Sequence, residues 1–303
     1  AVAPTSQAGI RQATMLDLLP LFLKASLAAS VVVAATMAAE RSGPFWGALI
    51  TSLPVSIGPI YVVLAMDASA HFISQGLLSS LATNVSTICF LVAAALAATR
   101  AGLAATVALA IVTWIVATAL IHQIDWSPLY ASLLNMAALV VALAILHQWV
   151  RPGGAAPAPQ RWFDLPLRAL LVGSLTVFVA LTSEALGPKY SGILAITPIV
   201  FISTTIVLLK RLGGPATAAT LASAVLPIAG FGLGLLVAHL ATARFGSTTG
   251  LAMGLATALG YSGCLAVWYL RANRYKKPGP DGVAIGEPSG GGGQDDRTLE
   301  ANQ

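Results

Sequence analysis

The side chains able to do chemistry in this sequence are few and mostly neutral. Thr51, Ser52, Ser56, Ser79, Ser80, Thr83, Asn84, Ser86 and Thr87 form one group, and Thr197, Ser203, Thr204, Thr205, Thr220 and Ser223 form a second. Hydroxyl and amide groups of this kind can coordinate an ion or hydrogen-bond a polar solute. They also serve as glue between membrane helices, at about 0.6 kcal/mol each. Prolines stand among them at positions 54, 59, 198 and 227. A proline removes a backbone donor and clashes with the preceding turn, so polar backbone groups are freed beside those side chains. Glu40 and Glu184 each lie just before a Gly-Pro pair. Each suits the positive end of a following helix or a proton-carrying role after desolvation.

These observations give a candidate substrate- or ion-binding set of Glu40, Glu184, Thr51, Ser52, Pro54, Thr83, Asn84, Thr197, Pro198, Ser203 and Pro227. No catalytic set is expected, because no nucleophile elbow, HExxH helix or phosphate-binding glycine loop is present. The sequence therefore does not read as an enzyme, and no cofactor or metal is expected. Cys89 and Cys264 are single residues inside apolar runs and suit packing. His71, His122, His147 and His239 fall near span ends without metal-ligand spacing, and interfacial anchoring is expected for all four.

The elements that must position these residues follow from composition. Of 303 residues, 57% are hydrophobic and only 9% charged, and the mean hydropathy is +0.83. Charges collect in short connectors between apolar runs, as expected of a chain whose main solvent is lipid. The basic residues flank apolar segments, where they orient a membrane protein, so nucleic acid is not an expected partner. About 20 apolar residues cross a bilayer. Nine helices are expected, near 16–40, 44–66, 71–98, 101–121, 128–149, 165–186, 188–209, 214–242 and 247–270. Residues 1–15 read as a flexible N-terminal segment and 271–303, rich in Gly, Pro and charge, as a disordered cytoplasmic tail.

The sequence also meets itself at an offset of 144 residues. Lys24 falls on Arg168, Glu40 on Glu184, Gly43-Pro44 on Gly187-Pro188, Pro54 on Pro198, and Arg100-Ala101-Gly102 on Arg244-Phe245-Gly246. Residues 16–121 and 165–270 thus form two four-helix units, and 122–164 form a linker with one transmembrane helix. An odd linker helix starts the second unit on the opposite face of the membrane. The fold class is an all-α polytopic membrane protein with an inverted 4+1+4 repeat. Its second and third helices are expected to be broken in each unit, at Pro54 and Pro198 and at Thr83-Asn84 and Pro227.

The segment Tyr190-Ser191-Gly192-Ile193-Leu194-Ala195-Ile196-Thr197-Pro198, with Gly43-Pro44-Phe45-Trp46-Gly47-Ala48-Leu49 and Pro54, resembles the aromatic-Gly-Leu-Pro signature of GlpM-type small inner-membrane proteins. Those proteins have four predicted spans, so this chain is similar to a fused pair. The resemblance implies a bacterial inner membrane and names no substrate.

Orientation follows from the basic residues. With nine spans and the N-terminus outside, Arg41, Arg100, Arg151, Arg161, Arg168, Lys210, Arg211, Arg271, Arg274, Lys276 and Lys277 face the cytoplasm, against Arg11, Lys24, Lys189 and Arg244 outside. That is the positive-inside pattern. Gly246, Gly250 and Gly254 form a four-residue ladder suited to close helix packing or a homo-oligomer contact. Inverted repeats with paired helix breaks are the architecture of secondary transporters. The expectation is transport of a small solute or ion across the lipid bilayer. The alternative is a non-transporting membrane scaffold or accessory subunit of envelope biosynthesis.

Overall fold

The computed structural model describes residues 26, 30, 57–150 and 164–274. Every element among them is a helix: α1 (Ile57–Asp67), α2 (Ala70–Ala98), α3 (Leu103–Ile121), α4 (Pro128–Trp149), α5 (Asp164–Ala195), α6 (Ile199–Ser223), α7 (Val225–Phe245) and α8 (Ser247–Arg274). Ser26 and Ser30 are also helical. The rest of the expected first helix, Glu40, Thr51, Ser52 and Pro54 lie outside the described residues. The described residues up to 266 make one compact unit, and 267–274, the last turns of α8, fall in a second.

Polar side chains and glycines set the boundaries. Ser69 accepts from the Phe72 amide and Ser127 from the Tyr130 amide, so each caps the exposed donors of its helix. Gly187 (φ 75°, ψ 176°) divides α5, and Gly213 (φ 78°, ψ −179°) divides α6. Gly246 (φ 87°, ψ 168°) ends α7. Only glycine occupies that backbone region readily. Pro188 follows the first of these, where its missing amide donor costs nothing.

The expected break at Pro198 is present, since α5 stops at Ala195 and α6 starts at Ile199. Pro227 likewise marks a break, at Ala224 between α6 and α7. The break expected at Thr83-Asn84 is not present, because α2 runs through it without interruption. The reason lies in the backbone. Thr and Asn keep their amide donors, and Thr83 Oγ1 bonds the Ser79 carbonyl of its own helix at 2.8 Å. Only proline deletes the donor.

Helix α2 is the axis of the bundle and packs against α3, α4, α5, α6 and α7. One apolar cluster joins Ile57, Tyr61, Leu77, Leu81, Leu235 and Ala238. A second joins Phe90, Leu91, Ala94, Leu221, Val225 and, at its edge, Phe201. Close approach depends on small residues: a Cβ on Gly192 would strike the Gly76 carbonyl oxygen. Helices α3 and α4 turn wide apolar faces outward, including Leu120 at 66% exposure and Met136 at 59%. Five helical segments among the described residues are long and apolar enough to cross a membrane: Ala70–Ala98, Leu103–Ile121, Pro128–Trp149, Gly173–Phe245 and Ser247–Trp268.

Candidate functional site

The hydroxyls and amide of α2 form a buried polar strip. Ser79, Ser80, Thr83, Asn84, Ser86 and Thr87 are all at most 8% exposed. A strand of helix this polar is buried because five helices enclose α2. Each group in such surroundings needs a partner, since neither lipid nor a packed core supplies one.

Part of the strip holds the broken segment 188–195 in place. Ser80 Oγ donates to the Gly192 carbonyl at 2.7 Å and bonds the Tyr61 hydroxyl at 2.8 Å. Gly192 lies in the last turn before the Pro198 break, where carbonyls have lost their helical partners. Ser79 Oγ donates to the Lys189 carbonyl at 2.7 Å. The Gly76–Gly192 approach is what lets these short side chains reach.

A second part faces the connector after α3. Thr83 Oγ1 lies 2.7 Å from His122 Nε2 and itself donates to the Ser79 carbonyl. The imidazole nitrogen is therefore the donor, which fixes the Nε2–H form in the neutral ring. Lys189 Nζ donates to the His122 carbonyl at 3.1 Å and sits 3.5 Å from Asp125. Burial first, and the Lys189 ammonium second, push His122 down from 6.5 to about 4. The Lys189–Asp125 pair is exposed and adds little by itself.

The third part is an amide pair between α2 and α4, with Asn84 buried and Asn135 half-buried. Asn84 Nδ2 donates to Asn135 Oδ1 of α4 at 2.9 Å. Asn135 Nδ2 in turn donates to the carbonyls of Leu81 at 2.8 Å and Ala131 at 2.9 Å. Gly232 of α7 leaves the pair room, because a Cβ there would come within 3.2 Å of Asn84 Nδ2. Asn84 Oδ1, Ser86 Oγ and Thr87 Oγ1 are buried and meet no described partner. These three unsatisfied oxygens lie within a single turn of α2, and each can accept a hydrogen bond from a polar solute.

The structure thus brings together only part of the expected set. Thr83 and Asn84 are central. Pro198 is buried at the break, and Thr197 is half-buried beside it with its amide bonded to the Leu194 carbonyl. Ser203 bonds its own helix at Val200, and Pro227 lies in the first turn of α7. Glu184 is exposed on α5 and stands apart from the strip.

Other groups were missed. The signal for Asn135 is that it is the one amide in the apolar run 128–146. His239 is 8% exposed, with Nδ1 2.7 Å from the Ser74 carbonyl and 3.0 Å from Ser74 Oγ. It links α7 to α2 inside the bundle, which corrects its expected place as an interfacial anchor. The glycine ladder is also used inside the chain. A Cβ on Gly250 would strike Thr242, and one on Gly254 would come within 2.6 Å of Ala238 Cβ. Both glycines seat α8 on α7.

Among the described residues no three of His, Cys, Asp and Glu converge as metal ligands. Comparison with family models, with curated proteins and with solved structures finds no match to this chain.

Proposed function

We propose that this chain is a secondary transporter of a small polar solute or ion, working by alternating access between two inverted four-helix units. The observation that carries the reading is the enclosed α2 strip, where Asn84 Oδ1, Ser86 Oγ and Thr87 Oγ1 are buried without a described partner. Polar groups at membrane depth are costly and mark solute pathways.

The duplication has structural support. Helix starts repeat at the same offset, with caps at Ser69 and Gly102 matched by junctions at Gly213 and Gly246. The two apolar clusters exchange under it as well. Ile57, Leu77, Leu81, Leu235 and Ala238 of the first cluster correspond to Phe201, Leu221, Val225, Leu91 and Ala94 of the second. A two-fold relation between units sends each contact across to its counterpart in this way. The segment Gly173–Phe245, at 73 residues, would measure about 110 Å as one straight helix. A hydrocarbon core of ~30 Å requires it to fold back, and Gly187 and Gly213 are the junctions suited to that. That is in keeping with nine spans, with which the positive-inside pattern favours an N-terminus outside and a C-terminus in the cytoplasm of a bacterial inner membrane. In this reading the GlpM-like signature marks the broken second helix of each unit.

Reconstitution tests it. Proteoliposomes bearing the full chain should pass at least one of glycerol, glycine or radioactive sodium faster than protein-free liposomes. Asn84→Leu should abolish that flux while the protein still folds. Flux equal to empty liposomes for these probes counts against transport and favours the scaffold reading, for which the broad apolar faces of α3 and α4 offer docking surface.

A further inference from the structure

Between α1, α7 and α8 lies a cavity of about 390 Å³, within the roughly 300–1,000 Å³ typical of small-molecule sites. It is separate from the α2 strip. The one polar atom of Tyr61 is committed to Ser80, which leaves its ring as part of an apolar wall. The open side is framed by Val62, Met66 and Leu255, all exposed.

The duplication, on which this inference rests, shows how the space arises. Gly58, Ala65, Gly234 and Ala258 line it. Their counterparts at the 144-residue offset are Ile202, Leu209, Phe90 and Trp114, which pack together in the second cluster. Four residues run the other way, since Tyr61, Phe231, Thr248 and Leu251 stand against Thr205, Thr87, Ala104 and Val107, yet the four larger exchanges to glycine or alanine outweigh them. One half of the molecule fills this place with its own side chains. The other half leaves it hollow. Empty volume in a packed interior forfeits contacts on every wall, so an unfilled hollow is unfavourable unless something occupies it.

We infer that this hollow is a binding site for the hydrocarbon chain of a membrane lipid. A rim of exposed Val62, Met66 and Leu255 on a membrane-spanning chain faces hydrocarbon, so lipid chains are the molecules that reach the opening. The apolar wall offers them dispersion contacts and no polar cost. The headgroup would remain outside, where Thr248 is exposed at the wall's end near the α7–α8 junction.

The test uses the full chain in nanodiscs of phosphatidylcholine carrying a photoactivatable diazirine in one acyl chain. After illumination, adducts are mapped by peptide mass spectrometry. Labelling should concentrate on cavity residues of α1 and α8, by about fivefold or more over the lipid-facing Leu133 and Val140 of α4. Gly58 has open space around it, so Gly58→Trp should fill the cavity and remove the excess at Leu251 while leaving α4 unchanged. Ala65→Leu, which copies the other half, should act in the same direction and decides the matter if the tryptophan variant does not fold. Even labelling over cavity and α4, or an excess that survives filling, overturns the inference. Labelling is read without any solute gradient, so failure of the lipid site and failure of transport are told apart.

Discussion

Replacing Asn135 with leucine isolates the amide pair. The substitution keeps the size of the side chain and removes two bonds between helices, from Asn84 Nδ2 to Asn135 Oδ1 and from Asn135 Nδ2 to the Leu81 carbonyl. At about 0.6 kcal/mol each these come to ~1.2 kcal/mol. The stranded Asn84 amide adds about 1 kcal/mol, for a total near 2 kcal/mol. Asn84→Leu behaves differently. It loses one of those bonds but also removes Asn84 Oδ1, which is buried and meets no described partner. The two effects offset, and the variant should lie within ~0.5 kcal/mol of the parent. The double variant strands no Asn84 amide, so it should cost about 1 kcal/mol, less than the sum of the singles. Reversible unfolding in bicelles by steric trapping measures all four corners of the cycle. If Asn84→Leu is the costlier single change, or if the singles simply add, the pair is not the coupled unit described here. Asn84→Leu should nonetheless be the variant that stops flux, separating the solute's oxygen from the bundle's own contact.

Gly254→Val should destabilise the bundle by about 1–3 kcal/mol, because its side chain enters Ala238 and the Gly234 carbonyl; Gly260→Val, with open space around it, should change the unfolding midpoint little. Protonation of His122 should weaken the α3 connector. Its folded value lies below 6.5, at about 4, so the contribution is present above pH 6.5 and is lost as pH falls towards 4. Partial exposure and solvent screening reduce it to ~1 kcal/mol. His122→Gln should flatten that part of the stability profile, measured by unfolding at pH 7 and pH 4.5. A cytoplasmic reporter fused after Lys277 should be active and one fused after Asp125 inactive; the reverse pattern would overturn the proposed orientation.

Much of the frame could be read from the residues, and particular positions show why. Gly-Pro at 187–188 and Gly-Gly-Pro at 213–215 put a residue free to take positive φ just before a proline that suits a helix start, so those two boundaries follow from local stereochemistry. Pro198 and Pro227 mark breaks for the same reason. Thr83-Asn84 misled because a polar pair in mid-span resembles a disturbance, whereas both residues keep their backbone donors and turn their side chains to partners far along the chain. Those partners, His122 and Asn135, are 39 and 51 residues away. Nothing local signals them. His239 shows the same limit from the other side, since its position near a span end suggested the membrane surface and only its Ser74 partner, 165 residues away, places it inside. The apolar cavity was legible only in comparison, as glycine and alanine standing where the other unit has Phe, Ile, Leu and Trp.

The junctions at Gly187, Gly213 and Gly246 have a practical corollary. Each turns the chain with a single residue of positive φ, so helices follow one another with hardly a residue between them. Proteases, antibodies and inserted epitopes all require an accessible length of irregular chain. From 164 to 266 there is very little of it to grip. The exposed stretch Gln123-Ile124-Asp125 after α3 is the better handle, and a tag placed there would report on the bundle without cutting into a hinge. The same economy makes these glycines poor places for change, because any side chain at φ near +80° is strained before it meets a neighbour.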